Sequence, residues 1–304
     1  MPAIECTDLT KYYGDVRGIE DVTLSVDDGE VFGFLGPNGA GKTTTIRTLL
    51  GFLSPTSGEA RLLGHDVTDE AASVRARERV GYLPADPGLD ENRTAGEFLD
   101  HQEALRGETR RAELVGRFGL DESRRIGDLS RGNRQKVALV AAFMHDPDLL
   151  VLDEPTSGLD PLLQESFNEL VRERAAAGAS VFLSSHVLGE VGTLCDRVGV
   201  IRNGRLVTEE SVEELRERGG KRVRIAVAED VDRETFQVPG VLNLRLGDRV
   251  SFTWAGEYDE LIDLLSRFTV IDLDVRDAPL EDVFMEFYDE PEADGGGGIG
   301  MVGQ

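Results

Sequence analysis

One short segment constrains the fold of this chain more than any other. Residues 36–43 read GPNGAGKT and fit the pattern G-x-x-x-x-G-K-[ST] at every fixed position. An apolar stretch, residues 31–35, precedes the segment, and a helix-competent stretch, residues 43–50, follows it. In such a strand–loop–helix unit, backbone N–H groups converge on phosphate oxygens at the positive end of the helix. The segment predicts a phosphate-binding loop, with Lys42 adding a full charge and Thr43 a hydroxyl for Mg²⁺. An incidental glycine-rich turn is the alternative.

Residues 149–154 (LLVLDE) form a second feature, an apolar strand that ends in two adjacent carboxylates. Neighbouring residues of a strand point to opposite sides, but a turn at the strand end lets both carboxylates face a nucleotide from different directions. The expected division is that Asp153 holds the hydration shell of Mg²⁺ while Glu154 polarises the attacking water. A solvated acidic turn is the alternative, and the presence of a phosphate-binding loop in the same chain disfavours it.

His186 follows the apolar residues 181–183 through Ser184 and Ser185. If this stretch is a third parallel strand beside the first two, the imidazole points at the γ-phosphate. There it could hydrogen-bond a phosphate oxygen or the attacking water. A satisfied structural histidine is the alternative.

The pattern along the chain predicts an α/β fold. Alternating apolar residues near 3–9 and 22–26 predict an antiparallel, half-exposed layer. Three further strands alternate with helices, which predicts a mostly parallel sheet covered on both faces. Arg- and Glu-rich residues, about 86–128, show helical spacing and predict a helical subdomain. The strands are predicted at 31–35, 149–152 and 180–183, and the helices at 43–50, 132–145 and 162–176.

Shorter elements follow residue 211 and predict a small α+β domain over residues 216–290, after a larger domain over residues 1–215. The glycine-rich end, residues 291–304, is predicted to be disordered. Within the smaller domain, Gly247 and Asp248 form a predicted hairpin turn. Strands are predicted there at 223–227, 242–246, 250–254 and 270–275, and helices at 258–268 and 280–288.

The charge balance of the chain limits the kinds of partner that it can bind. Asp and Glu outnumber Lys and Arg by 58 to 33, for a formal net charge of −25. Non-specific nucleic-acid binding relies on Lys and Arg, so this balance argues against a nucleic-acid partner. The screening length falls from about 8 Å at physiological ionic strength to about 3 Å at 1 M salt. The charge therefore favours a halophilic protein of a very salty cytoplasm, as in haloarchaea, over an ordinary acidic protein.

Neither the N-terminal residues nor the apolar runs predict a signal peptide or a membrane span. The N-terminal residues lack the pattern of a signal peptide, and no apolar run approaches the roughly 20 residues that a membrane helix needs. Cys6 and Cys195 fit no metal-ligand spacing and are predicted to be reduced, packed thiols. We expect a cytoplasmic chain that reaches a membrane only through a partner.

Residues 129–136 (LSRGNRQK) resemble the signature loop of ATP-binding cassette (ABC) ATPases, usually LSGGQ. In the right order around it, Asp160 resembles the D-loop aspartate of that family and His186 its switch histidine. Tyr13 resembles the aromatic residue that stacks on adenine, and an ordinary strand tyrosine is the alternative. The resemblance covers about residues 3–215.

The resemblance implies a P-loop ABC ATPase domain plus the small C-terminal domain, with ATP and Mg²⁺ as ligands. It implies a head-to-tail homodimer, or a pair with another ATPase subunit, in which Ser130, Gly132 and Asn133 of one copy act on ATP held by the other. A plain helix start capped by Ser130 is the alternative for this loop. The implied catalytic residues are Glu154 and His186, the implied Mg²⁺ ligands are Thr43 and Asp153, and the implied nucleotide-binding residues are Tyr13, Gly36, Pro37, Asn38, Gly39, Ala40, Gly41, Lys42, Thr43 and Thr44.

Separate transmembrane permease subunits are the implied partners, docking near residues 86–118 and holding the chain at the cytoplasmic face of the membrane. Arg131 and Asn133 replace the commoner Gly and Gln of the signature, a variant that resembles drug-export ATPases. Residues 223–288, which end in PLEDVFMEFY, resemble the C-terminal extension of the same ATPases. That extension is either regulatory or dimer-stabilising, or a packing appendage without a ligand.

Ala85 is the main departure from the family, because it stands where a Gln or Glu is usual. Either the neighbouring Asp86 substitutes for that side chain, or the helical subdomain is coupled to the γ-phosphate differently. The leading function is ATP hydrolysis that drives transport, most simply export. A soluble ABC ATPase acting on ribosomes or DNA, and a nucleotide-dependent switch without transport, are the alternatives.

Overall fold

The computed structural model describes residues 1–107, 110–229 and 231–278. The chain divides into two compact units, with the boundary between Glu214 and Leu215. Across these described ranges, no helix combines the length and the apolar composition needed to cross a bilayer. The predicted helix at 280–288 and the predicted disordered tail at 291–304 lie outside the described residues.

The first unit alternates strands and helices along most of its length. Its elements are β1 (Ile4–Tyr13), β2 (Val16–Val26), β3 (Val31–Leu35), α1 (Lys42–Leu49), β4 (Ser57–Leu62), β5 (His65–Asp66), α2 (Glu70–Glu78), β6 (Val80–Leu83), α3 (Ala95–Arg106), α4 (Arg111–Phe118), α5 (Arg131–Phe143), β7 (Leu149–Asp153), α6 (Pro161–Ala176), β8 (Ser180–Ser185), α7 (Leu188–Leu194), β9 (Arg197–Arg202) and β10 (Arg205–Ser211). A further helix, α8 (Val212–Gly219), contains the boundary between the units.

Two sheets build this unit. Strands β2-β1-β4-β5 form an antiparallel sheet, and β10-β9-β3-β8-β7-β6 form a six-stranded sheet that is parallel except for β10. The predicted antiparallel layer and mostly parallel sheet are thus confirmed. Every residue of β3, β7 and β8 is buried, as expected for strands covered on both faces. Phe32 and Phe34 pack on Phe182 of the neighbouring strand, with ring centroids 5.8 and 5.2 Å apart.

The sheet order decides where the chemistry lies. Strand β8 pairs with both β3 and β7, so the carboxyl ends of all three strands meet at one edge. Leu35 lies opposite Ser185, and Asp153 lies opposite Ser184. The loop at 36–41, the carboxylates at the end of β7 and the histidine after β8 therefore share this edge, as the sequence predicted.

Some elements differ from the expected pattern. The predicted helical region begins as irregular chain, and α3 starts only at Ala95, where Thr94 and Glu97 form a capping box. Strands β9 and β10 were not predicted, although their turn carries the hairpin signal Asn-Gly. Asn203 and Gly204 both have positive φ there, 50° and 79°, which that turn type requires.

In the described residues of the second unit, an antiparallel sheet of four strands packs against the helix α9 (Tyr258–Leu265). Its elements are β11 (Lys221–Val227), β12 (Val241–Arg245), β13 (Val250–Trp254), α9 (Tyr258–Leu265) and β14 (Val270–Asp277), with strand order β12-β13-β11-β14. Alternate residues of β11 and β13 join α9 in one apolar core, which includes Val223, Phe252 and Leu261. The opposite face of these strands carries polar and charged side chains instead.

Candidate nucleotide-binding and hydrolysis site

The loop at residues 36–41 packs too closely on its surroundings to accept side chains at two glycines. A Cβ on Gly36 would lie 2.4 Å from the Ile201 carbonyl oxygen. Gly41 has φ of 113° and a Cβ there would lie 2.9 Å from the Gly18 carbonyl oxygen. Gly36 and Ala40 are buried behind the loop. A cavity of about 380 Å³ lies in front of it and is lined by, among others, Pro37, Asn38, Gly39, Gly41, Lys42, Thr43 and Thr44.

Lys42 is the first residue of α1, and its side chain is almost fully buried at the floor of the loop. Its ammonium donates to the carbonyl oxygens of Gly36, at 2.5 Å, and Pro37, at 3.3 Å. The same nitrogen lies 3.3 Å from Oε1 of Glu154, an ion-pair contact without hydrogen-bond geometry. One buried positive charge thus joins the loop to the strand end that carries the carboxylates.

Asp153 is 1% exposed, and both of its carboxylate oxygens accept from hydroxyls. Thr43 Oγ1 donates to Oδ2 at 2.9 Å, and Ser184 Oγ donates to Oδ1 at 2.5 Å. Mg²⁺ prefers oxygen ligands, and it is usually held by one or two carboxylates together with substrate phosphates and waters. A hydroxyl and a carboxylate in contact at the mouth of a phosphate-binding loop fit that ion. Ser184 was not predicted, because nothing local marks it as the neighbour of a carboxylate on another strand.

Glu154 has φ of 52°, a left-handed conformation that non-glycine residues seldom adopt. This turn ends the alternation of β7, so Asp153 and Glu154 both line the cavity in front of the loop. The backbone N–H of Glu154 donates to the Ser184 carbonyl oxygen at 2.9 Å, which holds the turn against β8. Backbone strain of this kind concentrates at functional sites.

His186 lies beside Glu154, with its Nδ1 atom 2.6 Å from Oε2. The carboxylate is therefore shared between the ammonium of Lys42 on one oxygen and the imidazole on the other. The structure brings together Lys42, Thr43, Asp153, Glu154 and His186, the predicted core of the site.

Tyr13 stands at the end of β1 and is 48% exposed, lining the same cavity. Lys11 Nζ lies 5.6 Å from the centre of its ring. Gly18, on β2, makes room for the ring, because a Cβ there would lie 2.8 Å from Tyr13 Cε2. Gly18 was not predicted as a site residue, and only the pairing of the two strands reveals its role.

The signature residues do not line the cavity around Lys42. Ser130 is exposed and caps α5, with its hydroxyl accepting from the Asn133 N–H at 3.3 Å. Gly132 lies against the chain, since a Cβ there would be 2.7 Å from the Gly158 carbonyl oxygen. Asp160 caps α6 and accepts from the N–H groups of Leu162 and Leu163. Each residue therefore has a local structural role within one chain.

Two side chains that were not predicted as site residues tie the start of α5 to the chain after Glu154. Arg131 donates to Ser157 Oγ at 2.8 Å, and the buried Gln135 donates to the Pro155 carbonyl oxygen at 2.9 Å. Arg131, which replaces the commoner Gly of the signature, thus has a defined hydrogen-bond partner. Gln135 belongs to the segment 129–136 that resembles the signature loop, so attention to the whole segment rather than its first five residues would have identified it.

Ala85 lines the cavity in front of the loop, so a methyl group stands where the family usually has a longer polar side chain. Asp86 lines a neighbouring cavity of about 830 Å³, together with Arg131 and Arg134. Ala85 belongs to both cavities, whereas Asp86 is not among the lining residues of the first.

A groove of about 330 Å³ lies on the same unit between the sheet and the helical region. Because its lining is largely apolar, we call it the apolar groove. Phe52 at its rim is 52% exposed, and its ring lies 5.8 Å from that of Tyr82. Large apolar side chains that remain exposed together mark interaction surfaces. The groove is lined by residues that include Leu50, Phe52, Tyr82, Pro84, Leu89 and Phe98.

Comparison with known proteins places this site among its relatives. A family model described as ABC transporter matches residues 19–157. The chain is 41% identical over 227 residues to the daunorubicin/doxorubicin resistance ATP-binding protein DrrA of Streptomyces peucetius, covering 73% of this chain and 69% of that protein. It is 36% identical over 228 residues to the bacitracin transport ATP-binding protein BcrA of Bacillus licheniformis, covering 72% of each. A solved ATP-binding subunit of an ABC transporter matches with a TM-score of 0.65 and 33% identity, over 70% of this chain and 92% of that one.

Proposed function

This chain belongs to the ATP-binding subunits of ABC transporters, in the group of drug and antibiotic exporters, and from that premise we propose that it powers export of a compound across the membrane. As a member of this family, it hydrolyses ATP to drive transport. One observation carries the assignment of the site: Lys42, Thr43 and the two carboxylates at the end of β7 meet around one cavity. Each of these residues has its own role in ATP binding or hydrolysis.

The triphosphate binds along residues 36–44, with its terminal phosphates at the Lys42 ammonium. Tyr13 stacks on the base at the open side of the same cavity. Thr43 and Asp153 would hold Mg²⁺, which supplies positive charge to the bound phosphates. Glu154 polarises the attacking water, and His186 holds Glu154 through its Nδ1 atom and approaches the same water or the γ-phosphate.

A second chain completes the site. Ser130, Gly132 and Asn133 do not line the cavity of their own chain, so they act on the triphosphate of a partner in a head-to-tail pair. The partner is a second copy or a related ATPase subunit. Leu162, which follows Asp160, is 82% exposed in the single chain and supports a covering partner there.

Separate permease subunits dock at the apolar groove and hold the chain at the cytoplasmic face of the membrane. The exposed aromatic Phe52 gives this surface the character of an interface, and α3, which lines the groove through Phe98, also carries the 69% exposed Leu105. A formal charge of −25 opposes binding to nucleic acid. The drug and antibiotic names of the relatives support an exported, rather than imported, substrate.

The assignment is tested by Glu154→Gln, which removes the carboxylate but keeps the size of the side chain. We expect ATP binding to persist, hydrolysis to fall at least about a hundredfold, and a stable dimer to accumulate with MgATP. Light scattering after size exclusion measures the dimer, and phosphate release measures turnover. Glu59→Gln, an exposed carboxylate on β4, is the matched control. A variant that stays monomeric with bound ATP would refute the paired site.

The permease contact is tested separately by Phe52→Ala. The full chain is co-expressed with the membrane protein of the neighbouring reading frame, which we expect to have about six apolar spans. Co-purification should fall while ATP binding by the chain alone is unchanged. Leu242→Ala, another half-exposed apolar residue, is the control. Equal recovery of the complex with Phe52→Ala would place the permease elsewhere.

A further inference from the structure

The sheet of the second unit presents a cluster of cationic and polar side chains on the face opposite its apolar core. A concave pocket of about 210 Å³ opens there, and we call it the arginine pocket. Its polar lining consists of Arg222, Arg224, Asn243, Arg245, Ser251 and Thr253. Neither the ATPase site nor the permease contact uses these residues.

Strand register brings the cluster together. Arg245 on β12 and Arg224 on β11 each pair with Ser251 on the central strand β13, so the three residues form one row across the sheet. Neighbouring strands lie about 4.8 Å apart, which sets the two arginine backbones about 10 Å apart with the serine between them. Long side chains from both edges of such a row can converge on one small ligand above the serine.

The floor of the pocket holds the hydroxyl of Thr253. Thr253 is only 4% exposed, and no hydrogen bond joins its hydroxyl to another group in the described ranges. Thr253 pairs with Arg222 across the sheet, so the hydroxyl lies on the arginine side, facing away from the core formed by Phe252 and Trp254.

A bulge in β12 adds a further donor. Between the pairs Leu242–Thr253 and Arg245–Ser251 the strand β12 has one residue more than β13. Asn243 occupies this bulge with φ of 53° and lines the pocket. Its amide forms no hydrogen bond to another residue of the described chain. Bulges often re-aim a side chain at a functional site, and this one adds a neutral donor to the pocket.

The pocket carries a local positive charge, although the chain as a whole is strongly acidic. The two nearby carboxylates on β14 already have partners: Asp272 pairs with Arg249 at 2.7 Å, and Asp274 pairs with Arg276 at 2.8 Å. Arg224 and Arg245 form no ion pair with any residue that the structure describes. A local excess of positive charge on a chain of net charge −25 creates a site for anions.

From this arrangement we propose that the arginine pocket binds a phosphate group, free in solution as a diphosphate or presented by a lipid headgroup. Guanidinium forks bind phosphate and carboxylate in bidentate fashion, but the pocket also offers two hydroxyls and an amide. That donor set exceeds the four lone-pair sites of a carboxylate and matches the oxygens of a phosphate or diphosphate. The small concave volume suits one such group.

Titration calorimetry with inorganic pyrophosphate tests the proposal on the full chain. The Lys42→Ala background removes the ammonium of the phosphate-binding loop, so heat from that site does not obscure the measurement. We expect saturable binding, weakened about tenfold or more by Arg224→Gln and by Arg245→Gln, since each removes a charge-assisted hydrogen bond. Arg267→Gln, an exposed arginine near the end of α9, is the matched control and should leave the affinity unchanged.

Thr253→Val separates ligand binding from folding. Because no residue in the described ranges is hydrogen-bonded to the hydroxyl, its removal should leave the melting temperature of the ligand-free chain unchanged or higher. The same substitution should weaken pyrophosphate binding several-fold. A lower melting temperature with unchanged affinity would show that the hydroxyl serves the fold, and it would refute its place in the site.

Flotation with vesicles distinguishes the two sources of phosphate. Binding to vesicles that contain phosphatidylglycerol, absent with pure phosphatidylcholine and lost with Arg224→Gln, identifies a lipid headgroup. Pyrophosphate binding without vesicle binding identifies a soluble ligand. The proposal is wrong if neither probe binds, or if Arg267→Gln weakens binding as much as Arg224→Gln and Arg245→Gln do.

Discussion

The buried contact between Lys42 and Glu154 makes a quantitative prediction about the nucleotide-free chain. The exposed fractions of the two side chains are 7% and 17%, and their charged atoms are 3.3 Å apart. Lys42→Met removes the ammonium and keeps most of the apolar side chain. Glu154→Gln removes the negative charge and keeps the shape. If the charges interact, the double variant will lose less stability than the sum of the two single variants.

The size of this coupling follows from the geometry. Two unit charges 3.3 Å apart attract by about 5 kcal/mol at an effective dielectric constant of 20. Desolvation offsets part of this attraction, and His186 at 2.6 Å still compensates Glu154 when the lysine is gone. We therefore expect a coupling free energy of about 2 kcal/mol. With urea m-values of about 1–3 kcal/mol/M, that corresponds to a midpoint shift between about 0.7 and 2 M.

The chain provides separate probes for its two units. Cys6 and Cys195 are buried in the first unit, and Trp254, the single tryptophan, is buried in the second. Thiol labelling in urea therefore reports unfolding of the unit that contains the ion pair, while tryptophan fluorescence reports the other. Lys42→Met should move the thiol transition and leave the fluorescence transition in place. Additive effects of the two substitutions on the thiol transition would refute a coupled pair.

Three further outcomes follow from the structure. Burial raises the pKa of the Cys6 thiol to about 12. The contribution of the thiol to stability is therefore full below the ordinary thiol pKa of about 8.5 and is lost as pH rises towards 12. Between pH 8 and 10.5 the wild type should lose about 2–3 kcal/mol more stability than Cys6→Ala, measured by urea unfolding. Gly36→Ala should destabilise the first unit by about 1–3 kcal/mol and weaken ATP binding, because its Cβ would meet the Ile201 carbonyl oxygen, whereas Gly116→Ala, with open space around it, should not. If the excess negative charge is an adaptation to salt, dilution from molar KCl into dilute buffer should unfold the chain and expose both thiols to labelling, and a salt-independent thiol reactivity would contradict this.

The position of Ala85 remains the clearest departure from the family pattern, and the structure gives it a defined place. Its methyl group lines the cavity that also contains Lys42, while Asp86 lines the adjacent cavity beside Arg131. Arg131 in turn contacts Ser157, which follows Glu154 in the chain. A polar link between the helical region and the chain after Glu154 thus exists in this protein through the signature loop.

The sequence alone determined the phosphate-binding loop, the buried strands around it and the α/β class. These features are local: a glycine spacing, a lysine at a fixed position and short apolar runs have the same meaning in any context. Their common edge was also expected, because carboxyl ends of neighbouring parallel strands meet at one edge, but the strand order was not. The same local reasoning overlooked β9 and β10, whose apolar stretches are short and bounded by arginines.

Only the tertiary structure decided which atoms face each other across that edge. Ser184 reaches Asp153 because strand register places them opposite, and the left-handed turn at Glu154 points its carboxylate at Lys42 and His186. The arginine pocket depends in the same way on a bulge at Asn243 and on the pairing of β11 with β13, which are separated in sequence by β12. Register and bulges are fixed by packing between distant segments, so no window of neighbouring residues contains the information that sets them.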